Sequence, residues 1–168
     1  VRLGQEVGVQ FDNEHALELF RDAGQTVDGD TVRFDPDFLL AQAALAPATF
    51  SMRARNSERD LAIGGDSMIF CAAQGPPFVR IGDERREGTY DDFNNLLRLV
   101  QMTDTLDTPG RNVLEPNDLP LDSRHLLRAL SAIRLTDRVW AGEPSSGEAA
   151  ADCLAMAELV FGSEVMQG

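Results

Sequence analysis

The second half of the sequence alternates short apolar segments with helical patterns, and this order constrains the fold more than any other feature. Thr89 and Asp92 form a capping-box pattern, and an apolar stripe at helical spacing follows them. Residues 112–114 and 139–141 are strand candidates, and a helical pattern follows each of them. Two successive strand–helix units predict parallel strands joined by crossover helices. Because two strands cannot form a parallel sheet covered on both faces, we expect the opening of a larger α/β fold.

The first half has a different pattern, made of short helices and antiparallel hairpins. Asp-Gly within residues 28–30 lies between β-forming segments, which is a strong hairpin signal. Asp35 followed by Pro36 is the favoured order at the start of a helix. Alternation of apolar and polar residues between 49 and 88 predicts a small antiparallel sheet, with turns at 64–66 and at 82–83. In this interpretation residues 61–63 pair with residues 68–70 across the first of these turns.

The types and the balance of charged residues in the chain exclude several classes of chemistry. Its 168 residues carry a formal net charge of −13, and all 15 basic residues are arginine. The absence of lysine excludes a Schiff-base lysine, a pyridoxal-phosphate anchor and a P-loop lysine within these residues. The acidity argues against a nucleic-acid or anionic-membrane partner, because like charges repel. It is compatible with a cationic ligand and equally with a solvated surface.

The two cysteines predict reduced thiols in a cytoplasmic protein. Cys71 and Cys153 form no CxxC pattern and no disulfide framework, so we expect them to pack as small apolar groups. Together with His15 and His125 they match no zinc-module spacing, and we expect surface histidines and no bound metal. The longest apolar run, residues 68–73, is far shorter than the roughly 20 residues that a membrane span needs.

A candidate ligand site follows from the strand ends. Glu115 and Glu143 each follow a strand candidate and precede a proline, so the carboxyl ends of parallel strands would place both at one rim. Two carboxylates beside Trp140 suit a cation through charge attraction and cation–π contact. Gln74, before the rigid loop 75–77, is a further candidate contact. The alternative is that both glutamates are ordinary loop acids, that Trp140 is a core residue and that the loop is a turn.

A series of short segments along nearly the whole chain resembles a known family. The segments are residues 4–9, 16–24, 27–34, 46–50, 59–66, 75–77, 113–116, 118–120, 147–150 and 160–162. In this order they resemble the trimethylamine methyltransferase family, which comprises corrinoid-dependent methylamine and betaine methyltransferases. The resemblance lies in the order of the segments, since none of them is a catalytic motif.

The resemblance implies a (β/α)8 TIM barrel that is preceded by a helical and antiparallel-β segment. Residues 1–88 would form that N-terminal segment, and residues 89–168 would begin the barrel. Since a barrel alone takes about 250 residues, this sequence would be an incomplete, N-terminal portion of the family's length. Any pyrrolysine of the kind some members carry would lie beyond residue 168.

The resemblance also implies an activity and partners. Members transfer a methyl group from a tertiary or quaternary amine to the cobalt of a separate corrinoid protein. The expected partners are therefore a cognate corrinoid protein and a small methylated amine such as trimethylamine or a betaine, in a homo-oligomer without nucleic acid or membrane. The corrinoid (cobalamin) would be carried by the partner and not bound within this chain. Substrate contacts would fall on Gln74, Glu115, Trp140 and Glu143.

A second hypothesis is a non-catalytic binding or oligomerisation module of a larger assembly. Two barrel strands leave an open sheet edge and apolar helix faces that another chain or a further segment must cover. We expect residues 1–168 alone to be inactive in methyl transfer.

Overall fold

The computed structural model describes residues 1–163 as a mixture of short helices and small antiparallel sheets, which is consistent with the α/β class. The helices are α1 (Arg2–Glu6), α2 (Glu14–Asp22), α3 (Pro36–Ala44), α4 (Tyr90–Met102), α5 (Arg124–Leu135) and α6 (Gly147–Phe161), with a 3-10 turn at Ser57–Arg59. The strands are β1 (Val9–Gln10), β2 (Thr26–Asp28), β3 (Thr31–Arg33), β4 (Thr49–Met52), β5 (Leu61–Gly64), β6 (Phe78–Ile81) and β7 (Glu84–Glu87).

The chain divides into two compact units, and residues 1–48 form the first. Its sheet has the order β1-β3-β2, and all pairs are antiparallel. The β2–β3 hairpin turns at Gly29, as the sequence predicts. Asp35 caps α3 by accepting hydrogen bonds from two backbone amides, and Pro36 is its first residue, also as predicted. Leu17, Val32 and Phe34 form the core of this unit.

The second unit begins at Thr49 and contains two antiparallel hairpin pairs. The β6–β7 pair turns at Gly82 and confirms the prediction. The predicted pairing of residues 61–63 with 68–70 is wrong, because β5 pairs with β4. Phe70 instead donates its backbone amide to Asp107, at 2.7 Å. Alternation predicts an extended segment but does not identify the strand that pairs with it. Here β5 pairs with the strand before it, β4, and not with the segment after it.

Helices α4, α5 and α6 belong to this second unit. The predicted stripe of α4 comprises Phe93, Leu96, Leu97 and Val100; Leu96 is partly buried, and the other three are buried and pack with residues of the following loop and of α5. Both halves of the capping box between Thr89 and Asp92 are present. The spacing of Ser145 and Glu148 predicts a capping box at the start of the last helix, but α6 begins one residue later than this pattern indicates. Ser146 is the N-cap of α6, and its hydroxyl accepts the amide of Ala149 at 3.1 Å.

The predicted strands 112–114 and 139–141 are not regular strands in the described residues. Isolated parallel bridges occur instead, between Cys71 and Thr108 and between Gly110 and Trp140. The first predicted strand begins after the bridged residue Gly110. Its first amide, that of Asn112, donates to the side chain of Gln74 at 3.0 Å and not to a neighbouring strand. Within residues 1–163 no strand–helix repeat of a barrel is formed, and both the barrel and the boundary at residue 88 stay predictions.

None of the helices in the described part of the chain is both long enough and apolar enough to cross a membrane.

Candidate functional site

Three short extended segments of the second unit run side by side in parallel. We call them the bridged segments: residues 70–72, 108–110 and 139–141. Besides the two bridges, the amide of Ala72 donates to the carbonyl of Thr108 at 3.2 Å, and the amide of Ala141 donates to Gly110 at 3.3 Å. Helix α4 connects the first segment to the second, and α5 connects the second to the third. The four predicted site residues lie on or just after these segments.

Glu115 lies within a group of basic and polar side chains. Its carboxylate accepts a hydrogen bond from Asn112 Nδ2 at 2.7 Å, pairs with Arg128 Nη1 at 2.9 Å and pairs with Arg124. Burial by itself would raise the pKa of Glu115. The hydrogen bonds from Arg124 and Asn112 and the charges of both arginines outweigh it, and the pKa lies below its ordinary value. Glu115 is therefore ionised at neutral pH and already neutralised by guanidinium groups.

Arg128 joins the two predicted carboxylates. It lies on α5, is only 5% exposed, and forms ion pairs with both Glu115 and Glu143. Burial lowers the pKa of Arg128, and the charge of Glu115 opposes that shift. The sequence predicted that Glu115 and Glu143 share one rim of the sheet. In the structure both carboxylates pair with the guanidinium group of Arg128. Both carboxylates therefore face an internal cation.

Gln74 acts as a clamp between two of the bridged segments. Its Nε2 donates to the carbonyls of Ala72, at 2.8 Å, and Pro109, at 3.0 Å. Its Oε1 accepts the amides of Arg111 and Asn112, both at 3.0 Å. The side chain supplies cross-segment hydrogen bonds that an irregular backbone lacks. Gln74 therefore fixes the loop to the second segment, whereas the sequence suggested a ligand contact.

Trp140 faces an open apolar groove of about 390 Å³ against α6. Cys153, Leu154 and Phe161 contribute to the opposite wall. Its Nε1 is buried, and no hydrogen-bond acceptor for it lies within residues 1–163. An aromatic face in an open groove can contact a methylated ammonium group. Trp140 also packs against the core cluster, so it is partly a core residue, and its contact with a cation stays a prediction.

The histidine and cysteine environments differ in part from expectation. The side chain of His125 is only 10% exposed, and its Nε2 lies 2.9 Å from Asp152 of α6, so it is not a surface histidine. Cys71 is exposed, whereas Cys153 is buried as expected. Burial is the main cause that raises the pKa of each thiol. In the described residues, no group of three or more histidine, cysteine or acidic side chains is arranged to hold a metal.

Sequence reasoning missed the two arginines that hold Glu115. Arg124 and Arg128 are four residues apart, so they share a face of α5. That spacing beside an apolar stripe was the available signal, since a buried arginine needs a carboxylate partner. The partner itself is 9 and 13 residues earlier, in a loop, where no helical spacing points to it.

Fold and site together define an α/β protein whose polar groups gather after parallel extended segments. The family model described as trimethylamine methyltransferase (MTTB) matches residues 1–168. The chain therefore belongs to the trimethylamine methyltransferase family, as its segment order predicted.

Three characterised relatives are similar to this chain. A glycine betaine methyltransferase of Desulfitobacterium hafniense (strain Y51) is 33% identical over 165 residues, which is 98% of this chain and 34% of the relative. A proline betaine:corrinoid methyltransferase of Eubacterium limosum is 32% identical over 71% of this chain and 24% of the relative. The trimethylamine methyltransferase MttB of D. hafniense (strain DSM 10664 / DCB-2) is 30% identical over 67% of this chain and 23% of the relative. The chain spans about a third or less of their lengths.

Proposed function

We propose that this chain is the N-terminal part of an enzyme that moves a methyl group from a tertiary or quaternary amine to a corrinoid protein. The family match along the whole chain carries the proposal. The relative that aligns over 98% of the chain is named for glycine betaine, and a second relative is named for proline betaine and a corrinoid. A betaine is therefore the substrate that we favour, with trimethylamine as the alternative.

The bridged segments support the proposal that a TIM barrel begins in this chain. Each is joined to the next through a helix, α4 or α5, as in consecutive strand–helix units. Parallel pairing is also the feature that a barrel repeats. We propose that regular strands form here when further strand–helix units complete the sheet.

A corrinoid held by the partner protein would supply the cobalt that accepts the methyl group. The residues of this chain would then bind and orient the amine and exclude water from it. Such work needs no proton transfer, which agrees with a site built from ion pairs and an aromatic face.

We propose Trp140 and Glu143 as contacts of the ammonium group. Trp140 lines an open groove. Glu143 follows two residues after the third bridged segment, and its ion pair with Arg128 uses one carboxylate oxygen, whereas both oxygens of Glu115 are held. For Glu115 and Gln74 we propose the same region but an indirect role, since their polar atoms are occupied by Arg124, Arg128 and backbone groups. Their substrate contact stays a prediction.

The test is methyl transfer and betaine binding by the full-length protein. Purified enzyme would be combined with a corrinoid protein in the Co(I) state, and glycine betaine, proline betaine and trimethylamine would be compared. We expect Trp140→Leu and Glu143→Gln to weaken betaine binding by about tenfold, as loss of one cation–π or ion-pair contact would. Glu18→Gln, an exposed change in the first unit, is the matched control.

Two outcomes would contradict parts of the proposal. Unchanged betaine affinity in both variants would remove Trp140 and Glu143 from the substrate site. No methyl transfer from any of the three amines by folded full-length protein would remove the proposed activity. A change of Glu115→Gln that lowers stability but not affinity would confirm the indirect role.

The alternative is a non-catalytic module that associates with another chain. One observation favours it: on α6, Leu154 is 59% exposed and Leu159 is 88% exposed. Exposed leucines on one helix are typical of an interaction surface.

A further inference from the structure

A polar groove lies between α4 and α5. We call it the α4–α5 groove and define it by Tyr90, Asn94 and Arg98 on α4 and by Leu130, Ser131, Arg134 and Leu135 on α5. Its volume is about 340 Å³. The three α4 residues are spaced four apart and therefore share one helix face. None of them belongs to the site described above.

The floor of the groove is fixed by hydrogen bonds between the two helices. Tyr90 Oη lies 2.6 Å from Ser131 Oγ and 3.2 Å from the carbonyl of Leu127. Ser131 is only 4% exposed, so this contact is largely shielded from water. The two hydrogen bonds join α4 and α5 at the base of the groove.

The walls of the groove carry two positive charges that are not neutralised. Arg98 and Arg134 are both exposed, and within residues 1–163 neither forms an ion pair with an acidic side chain. Acidic residues outnumber basic ones by 28 to 15 in this chain, so an acidic neighbour would be the ordinary environment of an arginine. Two unneutralised guanidinium groups on facing helices favour carboxylates, which guanidinium binds in a bidentate manner.

The groove also offers an apolar contact beside the two arginines, since Leu130 lines it and is 39% exposed. Asn94 lines the groove as well, but its Oδ1 is buried and does not face a ligand there.

We propose that the α4–α5 groove binds an acidic peptide segment of a partner protein. Its carboxylates pair with Arg98 and Arg134, and an apolar side chain packs on Leu130. A peptide supplies both kinds of group together, whereas a small anion supplies only the first. The proposal does not depend on methyl transfer, since it concerns a groove separate from the polar groups after the bridged segments.

The test uses the whole chain and a fluorescein-labelled, end-blocked peptide of the sequence Glu-Glu-Leu-Glu-Glu, with binding followed by fluorescence anisotropy at low salt. A protein of net charge −13 repels such a peptide in general, so binding reports a local site. We expect Arg98→Gln combined with Arg134→Gln to weaken binding at least tenfold and Arg98→Lys combined with Arg134→Lys to retain most of it. The matched control, Arg2→Gln with Arg53→Gln, removes two exposed charges elsewhere and should bind as the unaltered chain does.

Absence of peptide binding, or equal weakening by the control pair, would overturn the proposal. Equal competition by free glutamate or inorganic phosphate at the same concentration would also overturn it, because the groove would then be a small-anion site. Circular dichroism of every variant separates loss of binding from loss of folding.

Discussion

At the scale of single residues, Gly110 shows how closely the bridged segments approach one another. Its φ is +68°, and a Cβ there would lie 2.6 Å from Cys71 Sγ and 2.7 Å from Gln74 Nε2. The glycine therefore meets two requirements, a left-handed backbone and space for the Gln74 clamp. Local sequence shows neither requirement, because the atoms that would clash belong to Gln74 and Cys71, 36 and 39 residues earlier.

We expect Gly110→Ala to lower the free energy of unfolding by about 3 kcal/mol, because left-handed strain and overpacking act together. Gly82→Ala is the matched control, since its φ is +61° but nothing lies within 4 Å of the added Cβ. It should cost only about 1–2 kcal/mol, the strain alone. Urea unfolding measures both. An equal decrease in the free energy of unfolding of both variants would mean that the close contacts around Gly110 do not contribute to the effect.

At the scale of elements, the start of α4 depends on one carboxylate. Asp92 accepts the amide of Thr89 at 3.0 Å, completes the capping box and pairs with Arg86 of β7. The hydrogen bond from Arg86 is the largest cause that lowers the pKa of Asp92, and burial opposes it. A carboxylate whose pKa is lower in the folded state contributes stability above its unfolded pKa of about 3.9 and loses it as pH falls through the folded pKa.

We therefore expect Asp92→Asn to cost about 1–2 kcal/mol at pH 7, with a difference from the unaltered chain that shrinks as pH falls below about 4. Thermal unfolding across pH 7 to pH 2.5 measures this. Asp91→Asn, an exposed change in the same helical turn, should cost less than about 0.5 kcal/mol. A difference for Asp92→Asn that does not vary with pH would rule out the charge as its origin.

The start of α6 gives a second prediction for an element. The hydroxyl of Ser146 accepts the amide of Ala149, whereas Ser145 lies one residue before this N-cap and donates its own amide to the carbonyl of Glu143. Ser146→Ala should destabilise the chain by about 1 kcal/mol and Ser145→Ala by only a few tenths. Chemical denaturation of the two variants checks this. The reverse order would restore Ser145 as the cap that its sequence pattern suggested.

At the scale of the whole molecule, exposed apolar residues on α6 predict self-association of this chain. Leu154 and Leu159 offer apolar area that water disfavours. We expect sedimentation velocity to show concentration-dependent association, and Leu154→Glu combined with Leu159→Glu to abolish it. Leu121→Glu, at a residue that is 81% exposed outside a helix, is the control and should leave association unchanged. A monomer at all concentrations would contradict the prediction and would leave only a different chain as the partner of the proposed module.

Local features were predictable because their partners are near in sequence. The hairpin around Gly29, the α3 cap at Asp35 and the box at Thr89 each involve groups within a few residues of one another. Of the candidate site, sequence placed Glu115 and Glu143 near each other, which their shared partner Arg128 supports. It could not show that Arg128 neutralises them, because a helix residue and two loop residues meet only after packing.

The sequence by itself determined the family, the net negative charge, the caps of α3 and α4 and the turns at Gly29 and Gly82. These follow from the order of segments, from composition and from backbone preferences that act over a few residues. Only the tertiary structure decided that β5 pairs with β4, that Gln74 joins two segments and that Gly110 bridges Trp140 in parallel. Those choices depend on which distant groups are brought together when apolar side chains leave water, and hydrogen bonds then form between whichever polar groups meet.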